Sequence, residues 1–157
     1  MLKKIKWMLL GVAALLIIIG TYVVSLVRYA DIEITALDNY TASISVRPEV
    51  VSVEGIHRFN GLESYIVASI EHESGQRVFY FVRDGWVQHY FFASDLINEM
   101  QADAIAQDLV RNGEIINTQL GILVETPIFE VQVQYEAVVY YIVIDAKTSE
   151  IIMVFDM

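Results

Sequence analysis

The chain has 157 residues, 55% of them hydrophobic, and its 20 acidic and 10 basic side chains give a net charge of −10 at pH 7. This negative charge repels the phosphate backbone of nucleic acids, so the composition excludes nucleic-acid binding as a class of function. The sequence contains no cysteine, which excludes disulfide bonds, thiolate metal sites and a cysteine nucleophile.

The first predicted element is an apolar helix near the N-terminus. Residues 7–27 carry no charged side chain, and at about 1.5 Å of rise per residue they would span about 30 Å, the thickness of a bilayer's hydrocarbon core. A cleaved signal peptide is the main alternative, but the apolar run is too long, and cleavage after Ala30 would place Arg28 where a small residue is required. We therefore predict that residues 1–28 form a cytoplasmic N-terminus and an uncleaved membrane anchor, which contacts the lipid bilayer through residues 7–27.

The charges beside this anchor predict its orientation. Lys3, Lys4 and Lys6 precede the apolar run, which begins at Trp7. Positively charged residues are retained on the cytoplasmic side of a membrane. We therefore predict a single-pass protein of the cell membrane with a cytoplasmic N-terminus. Residues 29–157, which hold all 20 acidic side chains and 6 Lys or Arg for a net charge of −14, would then be extracytoplasmic.

A helical segment and four strands are predicted after the anchor. Apolar spacing over 31–47 favours a helix, although its β-branched residues also fit a strand, and Pro48 ends any helix there. The dipeptide Asp84-Gly85 is a strong signal for a two-residue hairpin turn. Apolar runs bounded by turn residues predict four consecutive antiparallel strands, 50–59, 64–72, 77–83 and 86–92.

A second helix and four more strands complete the chain. The helix is predicted within 94–113, with Ser94 or Asp95 as its N-terminal cap and Gly113 just beyond its end. Its apolar stripe is predicted to include Leu96, Met100, Ile105 and Leu109, among others. The strands that follow are predicted at 114–121, 128–135, 137–146 and 149–157.

The order of elements repeats at an offset of roughly sixty residues. Tyr65 aligns with Phe129, and the strand 79–82 aligns with 141–144. We therefore predict an α+β protein with two modules, 29–93 and 94–157, each too small to be very stable alone and so packed against the other.

Short motifs in both modules carry a family resemblance. They are FNGLESYIV and VFYFV in the first module, and QLG, PIFEV and YYIVIDAKTSEII in the second. The last hairpin resembles the PepSY-like module, and the whole chain is similar to the TseB family of Gram-positive bacteria, also called the YpmB family. The resemblance implies two tandem cystatin-like (PepSY-like) modules after a transmembrane helix, each with one helix and a four-stranded antiparallel sheet. It also implies a role in cell-wall elongation and peptidoglycan synthesis, through protein-protein interaction with a membrane-bound penicillin-binding transpeptidase.

The sequence lacks the motifs of known catalytic and metal sites. His57, His72 and His89 belong to no HExxH motif, and no serine lies in GxSxG or SxxK. The glycines stand singly and do not form a phosphate-binding loop. Carboxylate pairs such as Glu71 with Glu73 are typical of solvated strands. We therefore predict a protein that is not an enzyme, with no catalytic residue, no metal and no cofactor.

Aromatic side chains are the remaining candidates for a binding site. Strict alternation would place Trp86, Tyr90 and Phe92 on one face of the strand 86–92. Packing between the modules would bury part of this apolar surface. We hypothesise that another part, with Tyr80, Trp86 or Tyr90 at its centre, docks a partner protein. A peptidase-inhibitory or chaperone-like module and a receptor for a small envelope ligand remain as alternatives.

Overall fold

The computed structural model describes the backbone of residues 2–157 and the side chains of residues 15–26, 28 and 34–157. The chain divides into two compact units, residues 1–39 and 40–157. Helix α1 runs from Leu2 to Ser45 as one element of 44 residues. A separate helix starting near residue 31 is therefore not present, because no glycine or proline interrupts 28–45. The predicted end before Pro48 is confirmed.

The predicted membrane span 7–27 falls within α1. The side chains of Lys3, Lys4, Lys6 and Trp7 lie outside the described part of the structure, as do those of residues 8–14 and 27. Among the side chains that the structure does describe, no helix is sufficiently long and apolar to cross a membrane. Residues 15–19, which are described, present exposed leucine and isoleucine side chains.

The second unit holds two antiparallel sheets, each with its strands in sequence order. The first sheet contains β1 to β4, which are Val50–Asn60, Ser64–His72, Arg77–Arg83 and Trp86–Phe92. The second sheet contains β5 to β8, which are Glu114–Leu123, Thr126–Tyr135, Val138–Asp145 and Ile151–Asp156. The predicted α+β class and both four-stranded sheets are confirmed, with the strand ends within two residues of the predicted ones.

The turn between β3 and β4 has the geometry that its sequence predicts. Asp84 has φ 53° and Gly85 has φ 79°. Two consecutive positive φ angles are characteristic of a type I′ turn, whose twist matches that of the flanking strands. The register of this hairpin is therefore set locally at residues 84 and 85.

The link between the sheets begins with a 3₁₀ helix, Ala93–Asp95, and continues into helix α2, Glu99–Leu109. The prediction that Ser94 or Asp95 caps this helix is wrong. Asn98 is the cap, since its Oδ1 accepts from the Gln101 backbone N–H at 2.9 Å and its own N–H donates to Gln101 Oε1 at 2.9 Å. The predicted stripe is also wrong in part, because the helix buries Ala102 and Ala106 and exposes Met100.

One hydrophobic core combines side chains of both sheets and α2. Its largest members from the first sheet are Phe59, Tyr65 and Phe81, and those from the second include Leu120 and Phe129. Ala102 and Ala106 let α2 approach this core closely. The packing of the two sheets against each other, predicted from the small size of each module, is confirmed.

The sheets meet where β1 passes β5. The ring of Phe59 lies so close to Gly121 that a Cβ built on that glycine would be under 3.0 Å from ring atoms. Two residues earlier on β1, His57 Nε2 lies 2.9 Å from the carbonyl oxygen of Leu120. Because a carbonyl oxygen only accepts, this contact requires that Nε2 of His57 carries the proton.

Candidate protein-binding surface

Trp86 and Tyr90 project from β4, the outer strand of the first sheet. Their side chains are 70% and 60% exposed. Trp86 pairs with Arg83 across the ladder, and Tyr90 pairs with Tyr80. Two of the three aromatic residues predicted at a partner surface are thus accessible to another protein.

A β-bulge places Trp86 and Tyr90 on opposite faces of the sheet. The register shifts between Phe81 and Val82, which leaves Gln88 as the extra residue on β4. Trp86 therefore shares a face with Arg83, whereas Tyr90 shares a face with Tyr80. The predicted single face for Trp86, Tyr90 and Phe92 is wrong for Trp86, and the two exposed rings lie on either side of the free β4 edge.

Tyr80 lies beside Tyr90 on the same face of the sheet, but its own side chain is almost fully buried. Its side chain is 6% exposed, and its hydroxyl donates to Glu49 Oε1 at 3.5 Å. Burial and the nearby Glu49 carboxylate raise the pKa of Tyr80. Beside it, Tyr90 and Phe92 make an edge-to-face contact at 6.2 Å, and both line a cavity of 180 Å³. Tyr90 is consequently the best-supported anchor of a candidate interface.

On the opposite face, next to Trp86, three polar side chains form a cluster. Arg83 forms an ion pair with Glu63, and the Tyr65 hydroxyl donates to the same carboxylate at 2.9 Å. The Arg83 guanidinium lies over the Tyr65 ring, 5.4 Å from its centroid. The hydrogen bond from Tyr65, followed by the charge of Arg83, lowers the pKa of Glu63. A carboxyl group held in its ionised form in this way is a poor general acid at neutral pH.

We expect Tyr65→Phe to raise the pKa of Glu63 towards its ordinary value, because the substitution removes the hydrogen bond that stabilises the carboxylate. A carboxyl with a lowered folded-state pKa stabilises the fold above its unfolded pKa, and this contribution is lost as the pH falls through the lowered value. An NMR titration of the Glu63 side-chain carbon measures the shift. The matched control is Tyr80→Phe, which should leave the Glu63 titration unchanged. An unchanged Glu63 pKa in Tyr65→Phe would contradict the assignment.

The three histidine side chains lie in different parts of the structure and do not form a cluster. His57 lies next to β5, as described above. His72 is hydrogen-bonded to Ser74 at the β2–β3 turn, and the His89 ring packs against Tyr65. Within the part of the chain whose side chains are described, no group of three or more His, Asp or Glu residues is placed to hold a metal ion.

A larger cavity of 670 Å³ opens between the two sheets at the start of α2. Phe79, Leu120 and Phe129 supply apolar walls, while His57 and Asn98 supply polar ones. This is the pocket that a small-ligand receptor would require. The sequence could not reveal it, because its lining residues come from segments far apart in the chain.

Two four-stranded antiparallel sheets that share one core, with helix α2 packed against the second sheet, define the class of this chain as a tandem-sheet α+β protein. The YpmB protein from Bacillus subtilis has a similar structure, with a TM-score of 0.66 and 18% sequence identity over 76% of this chain and 96% of its own. A candidate lipoprotein from Clostridium difficile 630 has a TM-score of 0.41 and 14% identity, over 82% of this chain and 92% of its own. Neither a family model nor a curated protein matches the sequence.

The likeness to YpmB shows that this chain has the same fold. The resemblance predicted from FNGLESYIV and YYIVIDAKTSEII is therefore confirmed at the level of the fold. The predicted absence of catalytic residues, metal and cofactor stays a prediction, as do the module boundaries at 29–93 and 94–157.

Proposed function

We propose that the protein is a membrane-anchored, extracytoplasmic and non-catalytic member of the YpmB family, with two PepSY-like modules of cystatin-like fold. In this proposal it binds and regulates a membrane-bound penicillin-binding transpeptidase of cell-wall elongation. The fold shared with YpmB and the motif resemblance support the family assignment. The transpeptidase partner is what that resemblance implies.

The main observation that supports a binding role is the exposure of Tyr90 on an outer strand of the first sheet. Most of the first sheet's aromatic residues contribute to the core, whereas Tyr90 presents 60% of its side chain to solvent. Tyrosine buries a large apolar area at low cost in conformational entropy and is enriched among residues that dominate binding energy. Its rigid support by Tyr80 and Phe92 reduces the cost of ordering it on binding.

Membrane attachment rests on the composition of α1. Residues 7–27 are uncharged, and the leucine and isoleucine side chains at 15–19 are exposed, as lipid-facing residues of a spanning helix would be. Attachment to the same bilayer as the partner raises the effective concentration of both proteins. A modest affinity at the β4 surface would then suffice for regulation.

We expect Tyr90→Ala to reduce recovery of the transpeptidase with the tagged full chain from host membranes by about tenfold or more, as truncation of a hot-spot residue does. Quantitative mass spectrometry of the co-purified proteins is the measurement. Ile116→Ala is the matched control, because Ile116 is, like Tyr90, an exposed apolar residue on a strand but lies on β5.

Equal recovery with Tyr90→Ala and with the unchanged chain would exclude Tyr90 as the anchor. Recovery of an extracytoplasmic peptidase in place of the transpeptidase would favour the inhibitory alternative. That outcome would be checked by inhibition of the purified peptidase in trans.

A further inference from the structure

The cavity between the two sheets has the size and the walls of a small-molecule site. Its volume of 670 Å³ lies within the range of about 300–1,000 Å³ that ligand pockets occupy. Phe79, Leu120 and Phe129 form its apolar walls, and all three pack in or against the core. Ligand pockets combine such walls with a few well-placed polar groups that orient the ligand. The polar groups of this cavity therefore indicate which ligand it takes.

The backbone of β5 supplies two of these polar groups. β5 is an edge strand that pairs only with β6 in the second sheet. The two-residue turn 124–125 has φ angles of 46° and 68°, so the flanking pair Leu123–Thr126 is hydrogen-bonded. Hydrogen-bonded pairs alternate in an antiparallel ladder, and the register is unbroken over 117–123. The N–H and C=O groups of Thr118 consequently point away from β6.

Two observations confirm this alternation. His57 on β1 contacts the carbonyl oxygen of Leu120, two residues from Thr118, at 2.9 Å. Pro127, which has no N–H, lies opposite Ile122, where no bond between β5 and β6 is required. Thr118 lines the cavity, and among the described residues no further backbone hydrogen bond involves it. One N–H and one C=O of the same residue are therefore available to a ligand.

Hydrogen bonds hold the cavity walls in place without a ligand. The Thr118 hydroxyl donates to the Asp103 carboxylate, which links β5 to α2. The N–H of Ile97, another lining residue, donates to the carbonyl oxygen of Ala146 at 2.7 Å and links the start of α2 to the end of β7. A ligand would thus bind with a small cost for ordering the protein.

The charges at the cavity favour a neutral ligand. Arg77 and Glu99 are the charged residues that line it. Arg77 is already paired with Glu54, whose carboxylate also accepts from the Ser69 hydroxyl at 3.3 Å. Glu99 is exposed in the first turn of α2, where an ion pair contributes little. An ionised ligand group placed against the apolar walls would be costly.

We propose that this cavity binds a neutral secondary amide that carries a large apolar group, the chemistry of an apolar residue within a peptide. The apolar group lies between Phe79, Leu120 and Phe129. The ligand's N–H donates to the C=O of Thr118, and its C=O accepts from the N–H of Thr118. The site is separate from the Tyr90 surface, and its ligand does not depend on the proposed transpeptidase role.

The test uses the purified full chain in zwitterionic detergent micelles, with N-acetyl-L-phenylalanine N-methylamide as the probe. An NMR titration follows the backbone amide signals. We expect a Kd below about 1 mM, which is within reach of a compound of this size. The amide signals of Thr118 and Leu120 should shift, and that of Tyr90 should not.

Two analogues separate the polar contact from the apolar one. O-acetyl-3-phenyllactic acid N-methylamide has an ester oxygen in place of the N–H and should bind about tenfold more weakly, because two acceptors then face each other at Thr118. The ester is the more apolar compound, so partitioning into micelles would give the opposite order. N-acetyl-L-alanine N-methylamide lacks the ring and should also bind at least about tenfold more weakly.

A substitution that fills the cavity tests its location. Ala93 lines the cavity, so Ala93→Phe should abolish binding of the probe. Ala104→Phe is the matched control, because Ala104 is exposed on α2 and is not among the lining residues. The two analogues decide the question if Ala93→Phe fails to fold, since they use the unchanged chain.

A longer probe distinguishes the two sources of this chemistry. Binding of the peptide acetyl-STFTS-amide with the same shift at Thr118 would support a segment of a protein as the ligand. Binding of the single blocked residue without the peptide would support a free compound.

Equal affinity for the amide and the ester would overturn the proposal. So would unchanged binding by a folded Ala93→Phe variant, or a titration in which the Thr118 amide signal does not shift.

Discussion

Replacement of Phe59 by alanine is expected to lower the free energy of unfolding by about 3–5 kcal/mol, the cost of removing a buried aromatic ring from a core. Phe59 is 1% exposed and lies in the one core that combines both sheets. Its ring is also packed against the backbone at Gly61 and Gly121. The cavity left by alanine would therefore open at the place where β1 meets β5.

Chemical denaturation of the full chain in detergent, followed by circular dichroism and by the fluorescence of Trp86 in a Trp7→Phe background, measures this loss. Both signals should change in one transition, because the first and second sheets share the same core. Leu62→Ala is the matched control, since Leu62 is exposed and its truncation should cost less than about 0.5 kcal/mol. Two separate transitions in the unchanged chain, or a loss below about 1 kcal/mol for Phe59→Ala, would contradict the shared core.

Gly121→Ala should destabilise the protein by about 1–3 kcal/mol, as other additions of atoms to a tightly packed core do. The new methyl group would lie under 3.0 Å from the ring of Phe59. Phe59 cannot move aside easily, because Gly61 lies close on another side of the same ring. The substitution therefore forces β1 and β5 apart.

Gly55→Ala is the control for this prediction, because nothing lies within 4 Å of a Cβ built at that position of β1. It should be neutral or slightly stabilising, since alanine loses less conformational freedom than glycine on folding. In the double variant Phe59→Ala with Gly121→Ala, the methyl group enters the space left by the ring, so the two losses should not add. Simple additivity would show that Phe59 and Gly121 do not interact.

The strands were predictable from sequence because their turns are encoded locally. Asp84-Gly85 adopts the two positive φ angles that such a pair favours. Helix α1 was predicted as two pieces because the apolar run ends near residue 27, whereas helical hydrogen bonding continues until Pro48 prevents it. The cap of α2 was misplaced because Ser94, Asp95 and Asn98 are all good cap residues, and the 3₁₀ helix decides between them.

Contacts between the two sheets could not be derived from the sequence. Phe59 and Gly121 are in different sheets, and nothing in either local sequence indicates their contact. The bulge at Gln88 was also missed, and this single extra residue moved Trp86 to the other face of the sheet. Tyr80 was grouped with Trp86 and Tyr90 because all three are aromatic, although only the structure distinguishes the buried ring from the exposed ones.

The exposed edge at β8 was the least visible from sequence. A run such as IIMVF is typical of a strand buried on both faces, and its pattern contains no sign that it is exposed. Its accessibility follows from the sheet order, because β8 is an edge strand that pairs only with β7 in the second sheet.

The most direct test of the proposed role is photocrosslinking from position 90 in membranes of the native host. A benzophenone amino acid replaces Tyr90 in the tagged full chain, and the crosslinked products are identified by mass spectrometry. The same amino acid at Ile116 serves as the control. We expect a crosslink from position 90 to a penicillin-binding transpeptidase and none from position 116. Crosslinks from position 90 that never include such an enzyme would contradict it.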